Sequence, residues 1–130
     1  MIVDSSALVA ILTSESDADV LEDALFASVN RYISAVNYVE ASIVMDSRNR
    51  PILSHALDNF LQVSQIGIEP VTVHQARLAR QAYREFGKGR HRAGLNFGDC
   101  FAYALAKEKG EPLLFKGNDF RRTDVEVAEY

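Results

Sequence analysis

The sequence predicts an α/β fold, with a parallel sheet of about five strands and helices on both faces. Two observations carry that expectation. Short apolar runs at residues 1–3, 31–35 and 113–115 alternate with longer segments of helical periodicity, the pattern of parallel strands joined by helical crossovers. Helix-capping residues and Gly or Pro stops also bracket the longer segments. A third observation concerns function. Asp4, Glu40, Asp99 and Asp119 each fall where a strand ends or a helix begins.

Taken in order, residues 1–3 read as a first buried strand ending at Asp4. Ser5 or Ser6 can cap the next helix, which carries Leu8, Ile11 and Leu12. Residues 17–27 form a second helical stretch with Val20, Leu21, Ala24 and Leu25 on one face. RYISA, residues 31–35, is a second strand, after which Asn37 can cap a helix running to about Arg50, where Pro51 stops it. Residues 52–66 place Leu53, Ala56, Leu57, Phe60 and Leu61 at helical spacing. A short strand follows at 68–73, and Thr72 caps a helix over 73–86. Gly87, Gly89 and Gly94 mark a loop. Asn96 opens a helix to Lys109 that Gly110 closes. Residues 113–115 are a strand, and 125–127 can add another.

The 130 residues suit one domain, 1–130, with a substantial core. Hydrophobic residues make up 48% and charged residues 25%, as in ordinary globular proteins. The apolar stretch at 2–12 contains Asp4, is too short to span a membrane and has no preceding Lys or Arg. Together with the single cysteine, Cys100, this leads to the expectation of a cytoplasmic protein without a membrane partner. Net charge is −4, which argues against non-specific nucleic-acid binding through the overall field. Arg77, Arg80, Arg84, Lys88, Arg90 and Arg92 nevertheless fall close together, with only Glu85 opposing them. A specific polyanion groove is compatible with that distribution, and so is a solvated charged face.

Topology explains why the acids should meet. A helix packed on a parallel sheet runs antiparallel to the strands, so its N-terminus lies at their carboxyl edge, where ligands bind. Asp4 ends a strand, Asp119 follows one, and Glu40 and Asp99 lie in first turns of helices. Glu40 further falls within the stripe Val36, Val39, Ile43 and Val44, where a buried carboxylate would need a partner. Each acid alone has a structural explanation: a salt bridge for Glu40, a capping box for Asp99 with Asn96, an N-cap for Asp4, a turn for Asp119. Their coincidence on one edge is what points to a cation. Two carboxylates about 6 Å apart repel by roughly 3 kcal/mol at an effective dielectric near 20. All-oxygen ligands suit Mg²⁺ or Mn²⁺, and water acidified by such an ion can attack a phosphodiester. His91 lies in the basic loop and can assist, or be merely solvated; His55 and His74 have no partners at ligand spacing.

These segments resemble the PIN-domain family, specifically VapC-type ribonuclease toxins of type II toxin–antitoxin pairs. MIVDSSALVAIL, YVEAS, GKGRHRAGLNFGDCFAYALAK and PLLFKGNDFRRTDV carry the resemblance, which covers nearly the whole chain. It implies that Asp4, Glu40 and Asp99 are metal-binding catalytic acids and that Ser6 supports them. Many members place the fourth acid where this chain has Gly117, so Asp119 is the nearest candidate, with Asn118 and Asp124 as alternatives. The resemblance also implies an Mg²⁺- or Mn²⁺-dependent endoribonuclease acting on tRNA, rRNA or mRNA, a homodimer, and inhibition by a VapB-type antitoxin. Lys88, Arg90 and Arg92 are candidate RNA contacts. A non-catalytic module of the same fold, binding metal and antitoxin, is the alternative. A receiver or aspartate-nucleophile phosphatase fits less well, because Ser6 stands where such phosphatases carry a second Asp.

Overall fold

The computed structural model describes residues 1–130. Four strands, β1 (Ile2–Val3), β2 (Arg31–Ser34), β3 (Ile66–Glu69) and β4 (Leu113–Leu114), form one sheet in the order β3-β2-β1-β4. All three pairings are parallel, with Ile2 level with both Tyr32 and Leu113. The last apolar run, expected as a strand, adds only a parallel bridge from Val127 to Leu113.

Six α-helices connect the strands: α1 (Ser5–Leu12), α2 (Ala18–Ala27), α3 (Ala35–Asp46), α4 (Pro51–Val63), α5 (Val73–Phe86) and α6 (Phe97–Lys109). Alternation along β1 divides the core. Val3, Ile33 and Leu114 face one apolar cluster with Leu8, Leu21, Met45 and Leu57 of α1 to α4. Ile2, Leu113 and Phe115 face the other, with Ala79 and Ala82 of α5 and Leu105 of α6. Helices therefore cover both faces, as a parallel sheet requires.

Several boundaries differ from the sequence expectation for local reasons. Asp4, not Ser5 or Ser6, caps α1, with its side chain accepting from the Ser6 N–H. Ser34 caps α3 through the Val36 N–H, which leaves Asn37 inside the helix and fully buried. That helix stops at Asp46 because Asn49 turns the chain at φ 51°, and Pro51 starts α4 at its first turn instead of ending α3. α4 closes at Val63, and Gln65, at φ 53°, turns the chain into β3 two residues earlier than expected. Thr72 caps α5 and Asn96 caps α6 as expected, and Gly110 takes the left-handed conformation at the end of α6.

The strand order places β1 between β2 and β4, so the chain leaves β1 toward one side and returns to the other. The crevice at such a reversal, beyond the carboxyl ends of the strands, is the usual ligand site of open α/β sheets.

Candidate active site

Asp4 is the first residue past β1, and its N–H bonds the Leu114 carbonyl at 2.9 Å. One carboxylate oxygen, Oδ2, accepts from the Ser6 N–H at 3.0 Å and from Ser6 Oγ at 2.6 Å. Ser6 Oγ in turn accepts from the Lys116 N–H at 3.0 Å, tying the loop after β4 to the carboxylate. The other oxygen, Oδ1, is buried without any partner. Burial raises the Asp4 pKa, Ser6 pulls it back, and the Glu40 charge raises it further. A buried carboxylate oxygen left unsatisfied is costly and is satisfied by a cation.

Glu40 and Asp99 approach from opposite faces of the sheet. Ser5 Oγ and Asn37 Nδ2 donate to Glu40 Oε1 at 3.3 and 2.8 Å. The same Asn37 amide donates to the Gly98 carbonyl at 3.0 Å, bridging α3 to the first turn of α6. A Cβ at Gly98 would overlap the Glu40 carboxylate, so glycine is what allows the acid to lie against α6. Asp99 and Asn96 form a reciprocal capping box, at 2.9 and 3.0 Å. Burial pushes Asp99 up to about 7; the Asn96 bond lowers it, while Asp4, Asp119 and Glu40 each raise it. The four acids thus share one field.

Glu40 is in place for a reason other than the one read from the sequence. Val39, Ile43 and Val44 are exposed, and the buried face of α3 is Asn37, Ala41 and Met45. Asn37 is accordingly the site residue that sequence reasoning missed. Its position three residues before Glu40, on the preceding helical turn, was the available signal.

Asp119 is exposed at the start of the 3₁₀ turn Phe120–Arg122, and its side chain makes no capping bond. Asp124 is engaged elsewhere: it accepts from Tyr103 Oη at 2.6 Å and pairs with Lys107 at 3.3 Å, and the Tyr103 bond leads the effects that lower its pKa. Of the two, Asp119 is the one whose charge is felt at Asp99. Lys116, three residues before Asp119, is committed to Glu15 and Asp17 at 3.1 and 3.2 Å. No Lys or Arg forms an ion pair with Asp4, Glu40, Asp99 or Asp119. As the side chains lie, no three of them gather closely enough to enclose an ion.

Lys88, Arg90 and Arg92 are exposed on the loop between α5 and α6. Arg90 lies over the Tyr83 ring at 5.9 Å, and the Arg92 carbonyl accepts from Arg122 at 3.0 Å. His91 is built into the loop: Nδ1 accepts from the Ala93 N–H at 3.0 Å, and its ring meets Phe86 edge-on. Arg77, Arg80 and Arg84 are exposed along α5. Along α5, Gln75, Ala79 and Ala82 are buried, whereas Ala76 and Tyr83 are exposed. Cys100 is buried, its thiol pushed up to about 11 chiefly by desolvation, which leaves it an unreactive wall residue.

The PIN domain family model matches residues 1–126. This chain belongs to the PIN-domain family. Ribonuclease VapC28 of Mycobacterium tuberculosis is 54% identical over 129 residues, covering 98% of this chain and 97% of that protein. Ribonuclease VapC of Mycolicibacterium smegmatis is 53% identical over 125 residues, covering 96% and 97%. The crystal structure of Mycobacterium tuberculosis VapC20, described as a sarcin–ricin loop cleaving toxin, superposes with a TM-score of 0.77 over 95% of each chain. At 14% identity that likeness speaks to the fold alone. No helix of this PIN domain is long and apolar enough to cross a membrane.

Proposed function

We propose that this chain, as one PIN domain over residues 1–130, is the ribonuclease toxin of a type II toxin–antitoxin pair, an endonuclease hydrolysing RNA phosphodiesters with Mg²⁺ or Mn²⁺. The observation that carries the reading is the uncompensated acid cluster: Asp4, Glu40, Asp99 and Asp119 share a field with no basic partner, and Asp4 Oδ1 is buried and unbonded. The names of relatives about half identical in sequence support the ribonuclease assignment.

The donor set fits the cation. It is all oxygen, and Mg²⁺ is held by one or two carboxylates while keeping several waters, so a closed cage is not required. Asp4, Glu40 and Asp99 would hold the ion in this reading, with Asp119 as the fourth acid. Bound there, the ion supplies an acidified water and offsets negative charge growing on the scissile phosphate. Ser6 holds Asp4 in one rotamer, and Asn37 holds Glu40. Lys88, Arg90 and Arg92 bind the RNA backbone, positioning the strand without reading its sequence. A VapB-type antitoxin, a homodimeric assembly and a cytoplasmic location belong to the same reading.

The test is cleavage of total RNA by the purified, partner-free protein, comparing Mg²⁺ with EDTA and wild type with Asp4→Asn. Discrete products that need both the metal and Asp4 are expected. Intact RNA in every lane, with the protein folded, would leave a metal- and antitoxin-binding module.

A further inference from the structure

We propose that the cleft between α5 and the start of α6 is a subsite for one unpaired base of the RNA strand, beside the acid cluster. This rests on the ribonuclease reading and names how that site would hold its substrate. The cleft encloses about 560 Å³, and its lining includes Ala79, Tyr83, Phe97 and Phe101 together with Arg80 and Lys88. Phe97 is 72% exposed in the first turn of α6. Its ring is braced edge-on by Phe101, with centroids 4.9 Å apart. Tyr83, 41% exposed, is oriented by a hydrogen bond from its hydroxyl to the Lys88 carbonyl at 3.3 Å. Gly87 makes that placement possible, since a Cβ there would overlap Tyr83.

Two exposed aromatic rings on a cleft that also carries cations match the chemistry of a nucleotide: a flat π-face with an anionic backbone. Arg80 and Lys88, like Arg77 and Arg84 along the same helix, have no acidic partner. The lining carries two cations and no acidic side chain, which favours an anionic strand as the occupant. The cleft also adjoins the acids. Asn96, whose N–H bonds the Asp99 carboxylate, and Cys100, the next residue after Asp99, both line it. A base seated there would hold its own phosphodiester next to the carboxylates.

Binding is measured by fluorescence anisotropy in EDTA, where nothing is cut, with a labelled oligoadenylate and a ribose–phosphate oligomer of equal length lacking bases. Phe97→Ala is expected to weaken oligoadenylate binding roughly tenfold or more and to leave the base-free oligomer unaffected. Arg80→Ala is expected to weaken both. Equal oligoadenylate affinity of wild type and Phe97→Ala overturns the proposal, as does wild type that binds neither oligomer. Unchanged RNA affinity with a shift from dimer to monomer in sedimentation also overturns it and gives the cleft to a second copy. Because cleavage is not read, a wild type that binds as expected but never cuts RNA with Mg²⁺ would defeat the ribonuclease reading separately.

Discussion

At Asp99 one carboxylate serves two structures. It closes the capping box at the start of α6 and feels the charges of three other acids. Its displacement from 3.8 to about 7 has a direct consequence for stability without metal. The folded state binds the proton more tightly than the unfolded chain, so this contribution is complete below the unfolded value and is lost as pH rises through the folded one. Metal-free protein should therefore lose stability between about pH 4 and pH 7, with Asp4, also raised, acting in the same direction. Asp99→Asn keeps an oxygen for the capping box and removes the titration. Thermal melts in EDTA should show a flatter pH profile for the variant and, above pH 7, a gain on the order of 2 kcal/mol over wild type once solvent screening is allowed for. The same variant should not cleave RNA. Identical pH profiles for the two proteins would mean that Asp99 is not held in the shared field.

The elements matter through the way α3 and α6 hold Glu40. Asn37 spans them with two hydrogen bonds, and the missing side chain of Gly98 makes room for the carboxylate. Asn37→Ala should weaken Mn²⁺ binding and cleavage by about 10- to 100-fold, the usual cost of losing a group that orients a ligand. Gly98→Ala should displace Glu40 with a similar loss while the fold survives, because alanine improves helix propensity by about 1 kcal/mol and offsets part of the overpacking. Mn²⁺ titration beside cleavage decides this: normal metal affinity in both variants would mean that Glu40 does not need its supports. The sequence made part of this arrangement legible. Thr72, Asn96 and Gly110 act as read, because caps and stops are local chemistry. The face of α3 was misread because Val39, Ile43 and Val44 lie exposed while Asn37 is buried. Apolar periodicity reports a stripe, not what covers it, and a polar residue satisfied across two helices leaves no periodic trace. The strands were found with shifted ends, because Gln65 at φ 53° and the Val127 bridge depend on where neighbouring segments lie.

Across the whole molecule, charge is sorted by place more than by amount. Net charge is −4, yet the acids gather at the carboxyl edge of the sheet while exposed cations line α5 and the following loop. An RNA strand approaching the acids is repelled unless cations hold its flanking phosphates, so the loop should dominate the salt dependence of binding. Each phosphate neutralised on a single strand contributes about 0.7 to the slope of log affinity against log salt. Arg90 and Arg92 are exposed, and neither forms an ion pair within the chain that would have to be broken for RNA to bind. Arg90→Ala combined with Arg92→Ala should lower the slope by about 1.4 if each holds one phosphate. Affinity should fall at low salt and converge on wild type as salt rises, because screening removes the same interactions in both proteins. The base-dependent part of binding should persist, since Phe97 is untouched, although losing Arg90 also removes the cation over Tyr83. Anisotropy titrations of oligoadenylate at several salt concentrations in EDTA give the slope. An unchanged slope would remove the loop from the RNA path and leave the α5 stripe of Arg77, Arg80 and Arg84 to carry the backbone contacts.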